Sequence, residues 1–300
     1  MTKINSLHIK AYERDLKIRN CSPRTAQNYR ETLLQLSTFV DEADLLELGR
    51  AGVEGYILHV LETRSAASAC GRYRALRAFY NWAVREELVP ESPMRKMTPP
   101  KVVEKPIPVV GDDLLRRLLA ECSGTDFESS RDTAIIRLWC EPGSPRVSEV
   151  AGMTMGDVDQ VLDLVKLFGK GGRVRMIPYG SKTGQALYRY LRARKDHPLA
   201  EEGSGCEDAL WFGARGKPLT ASGLYQMLER RAKQAGIGHI HPHQLRHTSA
   251  HNWRVAGGSE SDVLCATPTS PSPPRWPKGA LNPMTASFLP TARSDVSWHT

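Results

Sequence analysis

Four polar residues stand in settings that suit attack on a phosphodiester. They are Arg146 in PRVSEV, Lys170 in FGKGGRVRMIP, and His243 and Arg246 in HPHQLRHTSA. Such an attack builds negative charge on the non-bridging oxygens. Fixed cationic donors aimed at those oxygens lower the barrier, each by about 10²–10³ in rate. Arginine suits the task because it stays charged and grips two oxygens at once. A histidine adds a donor, and a lysine beside the leaving 5′-oxygen can protonate it as general acid. This chemistry needs no metal and no other cofactor, and the sequence shows no metal-ligand cluster. Each residue alone also has an ordinary reading: Arg146 as a helix-start ion-pair partner, Lys170 as a solvated turn lysine, His243 as a surface or capping histidine, Arg246 as a structural cation. Their order and company point to chemistry.

The elements that must carry them are mostly helical. Ser22-Pro23 is a helix start, with serine as cap and proline at the first helical position. Tyr29, Leu33, Leu34, Leu36, Phe39 and Val40 follow near helical spacing. A second helix is expected over Leu46–Glu62 with Val53, Ile57, Leu58 and Leu61 inward. A third is expected over Ser65–Glu87, with Tyr73, Leu76, Phe79, Tyr80 and Ala83 on one side and Arg72, Arg74, Arg77 and Arg85 interleaved. The proline-rich run MTPPKVVEKPIPVV, residues 97–110, reads as an extended interdomain linker that lets two small domains clamp a partner. Beyond it, helices are expected at Asp112–Cys122, Arg131–Cys140 and Val147–Met153. Short apolar alternations at Asp163–Phe168 and Arg173–Pro178 flank Gly169-Lys170-Gly171-Gly172, a β-hairpin signal. Helices follow at Thr183–Lys195, Thr220–Ala235 and about His243–Ala256.

Composition narrows the class. The 300 residues suggest about two domains, and 40% hydrophobic content suffices for packed cores. A formal net charge of +8 favours a polyanionic partner, because Lys and Arg release counterions from phosphate. No apolar run approaches the roughly 18 residues of a membrane span, and the polar start MTKINSLHIKAYERDLK has no signal-peptide core. The six cysteines are scattered and form no CxxC pair, which argues for a reducing cytosol.

At the level of motifs the chain resembles the tyrosine recombinases of the phage-integrase and Xer type. HPHQLRHT resembles that family's His-x-x-Arg box, PRVSEV the box of its first arginine, and GKGGRVRMIP its lysine hairpin. SPRTAQNYRETLLQL and ESPM…PPKVVEKPIPV resemble its helical DNA-binding domain and linker. The likeness spans roughly residues 6–264, with all boxes in order. It implies a mainly α (α+β) fold: a SAM-like helical core-binding domain over 1–96, the linker, and a catalytic domain of helices with a small antiparallel β-sheet over 111–264. It implies Arg146 as a phosphate clamp supported by Glu149, His243 and Arg246 as phosphate-binding residues, and Lys170 as general acid. Arg24, Arg72, Arg74 and Arg77 would face DNA. His247 would hold its helix to the surroundings through a hydrogen bond. The implied partner is double-stranded DNA, engaged by a tetramer of recombinase subunits, in the bacterial cytoplasm at the nucleoid and not at a membrane. A type IB topoisomerase relative shares the chemistry but not the compact two-part layout.

Four departures stand out. Pro142-Gly143-Ser144-Pro145 is one residue longer than the usual step before the first arginine, and a displacement of about 1 Å can cost on the order of 10²-fold in rate. Ser249 replaces an apolar aromatic and Arg254 an apolar residue, which puts polarity on a helix face expected to be buried. Most consequential, no tyrosine follows Tyr225, although the family's nucleophile comes after the His-x-x-Arg box. Residues 265–300 instead hold 7 prolines and 10 Ser/Thr with no apolar period, a composition expected to be disordered. A shift of reading frame near residue 263 accounts for that switch. A DNA-binding module that does not cut is the competing function. The frame explanation predicts that another frame of the gene past codon 263 encodes a Gly-Trp or Gly-His step and then a tyrosine. Resequencing that finds no such frame would make the tail the protein's own.

Overall fold

The computed structural model describes residues 2–103, 106–169, 172–197, 208–213 and 216–258. The tail expected to be disordered therefore lies outside the described residues. The chain divides into two compact units, residues 1–105 and 106–300.

Unit one is built from α1 (Lys3–Ile18), α2 (Pro23–Phe39), α3 (Arg50–Thr63) and α4 (Ala66–Arg85). The start of α2 follows its sequence signal: Ser22 Oγ accepts from the Thr25 N–H at 3.1 Å, and Pro23 occupies the first turn. Residues before Ser22 carry no comparable signal, yet Thr2 caps α1 and Ile9, Tyr12 and Leu16 bury one face. On α4, Tyr73, Leu76, Phe79, Tyr80 and Ala83 are all buried, at the spacing of one helical face. On α3 the phase differs from expectation. The helix begins at Arg50 and buries Val53, Tyr56, Ile57 and Val60, whereas Leu58 and Leu61 are exposed. A single helix cannot bury both sides against one core, and the i, i+3, i+4, i+7 stripe that contains Tyr56 covers more area. Asn5 closes the unit: its buried side chain donates to Ser37 Oγ and the Ala43 carbonyl and accepts from the Leu45 N–H. That satisfies backbone groups of the loop after α2, where Asp41 and Glu42 adopt positive φ.

Unit two holds α5 (Asp112–Ala120), α6 (Phe127–Trp139), α7 (Val147–Ala151), a three-stranded antiparallel sheet, α8 (Ser181–Lys195), α9 (Ala221–Gln234) and α10 (Pro242–Val255). The strands are β1 (Val158–Asp159), β2 (Leu164–Phe168) and β3 (Val174–Pro178), in that spatial order. The two-residue β1 was too short to read from sequence. Helix α6 starts four residues earlier than expected because Asp126 accepts from the Ser129 N–H at 2.9 Å as its cap. Register pairs Val165 with Ile177 and Leu167 with Arg175. Cross-strand partners share a face, so Arg175 lies on the side of the sheet that buries Val165, Leu167 and Ile177.

A buried ion network joins α6 to α9. Asp132, fully buried, accepts from Arg131 at 2.6 Å and from Arg231 at 2.8 Å, and Arg231 also donates to the Glu121 carbonyl and Ser129 Oγ. Removing one member leaves charge without its counterpart in the core. Asp132→Ala is expected to destabilise unit two by about 3–5 kcal/mol, measured by urea unfolding. A loss below about 1 kcal/mol, the level of an exposed pair, would show that the network contributes little.

Candidate active site

The site is built around the Glu149 carboxylate on α7. Arg146 caps that helix, and Glu149 accepts from its backbone N–H at 2.6 Å and from its Nη1 at 2.9 Å. Arg175 grips the same carboxylate with both ends of its fork, at 3.0 and 2.8 Å, and reaches the Gly143 carbonyl at 3.4 Å. Glu149 is 3% exposed, while the Arg146 side chain remains 52% exposed and so keeps donors available to a ligand. Burial pushes the Glu149 acid up. The Arg146 backbone N–H, the Arg175 charge and the two guanidinium hydrogen bonds outweigh it and hold the acid below the usual glutamate range.

The longer step before Arg146 is absorbed in a tight turn. Gly143 adopts φ +76°, a conformation glycine takes without steric cost, and the Ser144 N–H donates to the Glu141 carbonyl. Arg146 thereby stands at the α7 N-terminus beside Glu149.

Helix α10 supplies the second half. Pro242 occupies its first turn, and the His241 N–H donates to Gln244 Oε1 at 2.7 Å. His243 is exposed in that turn, and Arg246 is half-buried one turn on. Burial first, then the charges of Arg175 and Arg146, lower Arg246 from the ordinary arginine value, with Glu149 opposing them. Its Nη1 is buried and has no hydrogen-bond partner among the described residues. Two arginines thus hydrogen-bond one carboxylate and a third stands within its field, which leaves a net excess of positive charge and a buried donor with no partner among the described residues.

The other candidates fall elsewhere. Lys170 lies outside the described residues. Its hairpin closes through the Gly169 N–H to the Arg173 carbonyl at 2.7 Å, with Gly172 at φ +73°. The His247 side chain is exposed, and no hydrogen bond joins its ring to a described residue, in contrast to the expected tether. Thr248 next to it does that work, accepting from the Val110 N–H at 2.8 Å. Ser249 is buried as expected, and its hydroxyl is satisfied by the Glu141 carbonyl at 2.6 Å. Arg254 is exposed, not on a buried face. In unit one, Arg72 is half-buried and spends its guanidinium on Thr32 Oγ1 and Asn28 Oδ1, which holds α4 to α2. Arg24, Arg74 and Arg77 are exposed, the last two on one face of α4. Among the described residues no cluster of His, Cys, Asp and Glu could hold a metal ion, and no helix is long and apolar enough to cross a membrane.

Sequence reasoning missed two residues. Arg175 stands within the hairpin motif and carries no motif of its own. Its signal is the alternation of β3, which places it in phase with buried Ile177. Glu141 carried no signal. It is buried, accepts from the Gly180 N–H and from Thr183 Oγ1, and its Oε2 has no described partner. Burial raises its acid above the usual range, against those hydrogen bonds and Arg137.

Comparison with known proteins agrees with this layout. Residues 109–263 match the phage integrase family, and residues 9–87 match the phage integrase N-terminal SAM-like domain. The chain belongs to the phage integrase family. Tyrosine recombinase XerC of Corynebacterium efficiens is 31% identical over 231 residues, covering 76% of this chain and 72% of the relative. Tyrosine recombinase XerC of Bacillus subtilis is 32% identical over 238 residues, covering 77% of each. A lambda integrase tetramer bound to a Holliday junction has the same fold at 17% identity, with TM-score 0.68 over 91% of this chain and 79% of that one. The Tn1549 transposon integrase bound to transposon right-end DNA has it at 19% identity, with TM-score 0.68 over 86% and 89%. In this integrase-family chain, the SAM-like domain precedes a mainly helical domain with a small antiparallel sheet.

The depressed Glu149 acid gives a sign. A group held below its unfolded value stabilises fully above the ordinary glutamate range, about pH 4–5, and that contribution is lost as pH falls through the lower folded value. Glu149→Gln is expected to lower Tm at neutral pH and to make the acid-side fall of Tm shallower. An acid limb identical to that of the parent would remove Glu149 from the linkage.

Proposed function

We propose that this chain binds duplex DNA and belongs to a site-specific recombination system, with one backbone phosphate seated between Arg146, His243 and Arg246. The observation that carries this reading is the buried Nη1 of Arg246, which has no partner among the described residues and lies in the field of Arg175 and Arg146. A buried donor without an acceptor costs free energy, and a phosphate oxygen is the acceptor that a cluster of arginines fits. Glu149 orients Arg146, and Lys170 on the hairpin turn is the general acid of the family mechanism. The exposed Arg24, Arg74 and Arg77 contact the backbone of the same DNA. A multimeric working form, in the bacterial cytoplasm at the nucleoid, belongs to the proposal.

The proposal has a second part. Family chemistry joins DNA to enzyme through a 3′-phosphotyrosine, and the sequence offers no tyrosine beyond Tyr225. Tyr179 and Tyr190, which precede the His-x-x-Arg box, are buried and give their hydroxyls to the Asp159 and Leu210 carbonyls. Burial raises both, Tyr179 to about 12. By itself the chain binds and does not cut.

Fluorescence anisotropy on a duplex at graded salt tests the first part. Log K is expected to fall linearly with log salt, by about 0.9 per phosphate neutralised. Arg246→Ala should weaken binding and reduce the slope by about one contact. Absence of binding at low salt would sink the reading. A nicked suicide substrate tests the second part: no covalent adduct is expected, and a band that survives denaturation would overturn it.

A further inference from the structure

Two helices of unit two present matched polar stripes to each other. Ser130, Thr133 and Arg137 lie at i, i+3 and i+7 on α6, and Lys182, Gln185 and Arg189 at the same spacing on α8. That spacing puts each trio on one helical face. Together they line a recess of about 290 Å³, closed at one end by the turn after α5 at Ser123 and Gly124. None of the residues of the Arg146 cluster lines it.

Among the described residues three cations and no carboxylate line this recess. Burial and then the neighbouring Arg189 lower Arg137 from the ordinary arginine value, and burial and then Arg137 lower Lys182. The like charges are therefore close enough to oppose one another. Arg137 is half-buried, and no hydrogen bond joins its guanidinium to a described residue. The nearby acid Glu141, whose charge opposes that lowering, accepts the Gly180 N–H and Thr183 Oγ1 through Oε1, and neither of its oxygens accepts from Arg137. A partly desolvated guanidinium with no acceptor, held against like charge, is the arrangement an anion relieves.

We propose that the recess between α6 and α8 is a second phosphate site, one that takes the phosphate of a small molecule. Guanidinium forks and the Ser130 hydroxyl suit phosphate oxygens, whereas the Thr133 hydroxyl already donates to the Cys122 carbonyl at 2.7 Å. The volume stands at the lower end of the roughly 300–1,000 Å³ of small-molecule sites, enough for a phosphate with a modest organic portion. A duplex backbone instead requires a surface that tracks successive phosphates. The site does not depend on the function proposed above, since it uses other residues.

Isothermal titration of the full chain with inorganic phosphate and with adenosine monophosphate, at matched ionic strength, tests the site. Acetate serves as the carboxylate control. Saturable binding of either phosphate probe, stronger than acetate, is expected; preference for one identifies free phosphate or a nucleotide as the source. Arg137→Gln and the exposed-site variant Arg189→Gln should each weaken it by about tenfold or more, the loss of one charge-assisted hydrogen bond. Duplex affinity should not change in Arg189→Gln, whose exposed position leaves folding intact. Three results overturn the proposal: no saturable binding by either probe, binding indifferent to Arg189→Gln, or parallel loss of duplex affinity, which would make the recess a contact for the DNA backbone.

Discussion

The Glu149 carboxylate is the point on which the rest of the site depends. Arginines brought close together repel one another. A single buried carboxylate among Arg146, Arg175 and Arg246 offsets much of that repulsion while leaving net positive charge. Because Glu149 takes both the backbone and the side chain of Arg146, it also fixes the helix start and the guanidinium with the same two oxygens. The Arg175 fork then ties that helix start to β3, and so to the hairpin that carries Lys170. One acid therefore links segments that are far apart in sequence.

The scaffold behind it uses buried polar groups in the same way. Asp132 joins α6 to α9, and Glu141 joins the end of α6 to the start of α8. The Glu141 carbonyl also receives Ser249 from α10. Ser249 replaces an apolar residue at a small cost because that carbonyl accepts its hydroxyl, so a substitution that looks disruptive along the helix is satisfied across it. The two acids near the site respond to burial in opposite net directions: cationic and N–H donors outweigh it at Glu149 and fall short at Glu141.

Much of this was legible in the chain. The Ser22-Pro23 start, the buried face of α4, the glycine-bounded hairpin and the helix after Pro242 all follow from signals within a few residues. The Leu58 and Leu61 reading failed because α3 is apolar on more than one side, and only packing against α2 and α4 selects the face that is buried. The start of α6 failed because a cap three residues before Ser129 outweighs the weak apolar pattern of that first turn. Arg72 looked like Arg74 and Arg77 in sequence and differs from them in the fold, since the helical twist turns it toward Thr32.

The sequence by itself determined which residue types were present, in what order, and on what kind of local element each would stand. Those properties depend on spacing, capping and turn chemistry, which act over one or two helical turns. Tertiary structure alone decided that Arg175 shares the Glu149 carboxylate, that Arg246 Nη1 is buried with no partner among the described residues, that Thr248 and not His247 anchors α10, and that Arg137 and Arg189 line one recess. Each of these depends on residues separated by tens of positions. Hydrogen-bond reach and burial are properties of the packed chain, and no local pattern encodes them.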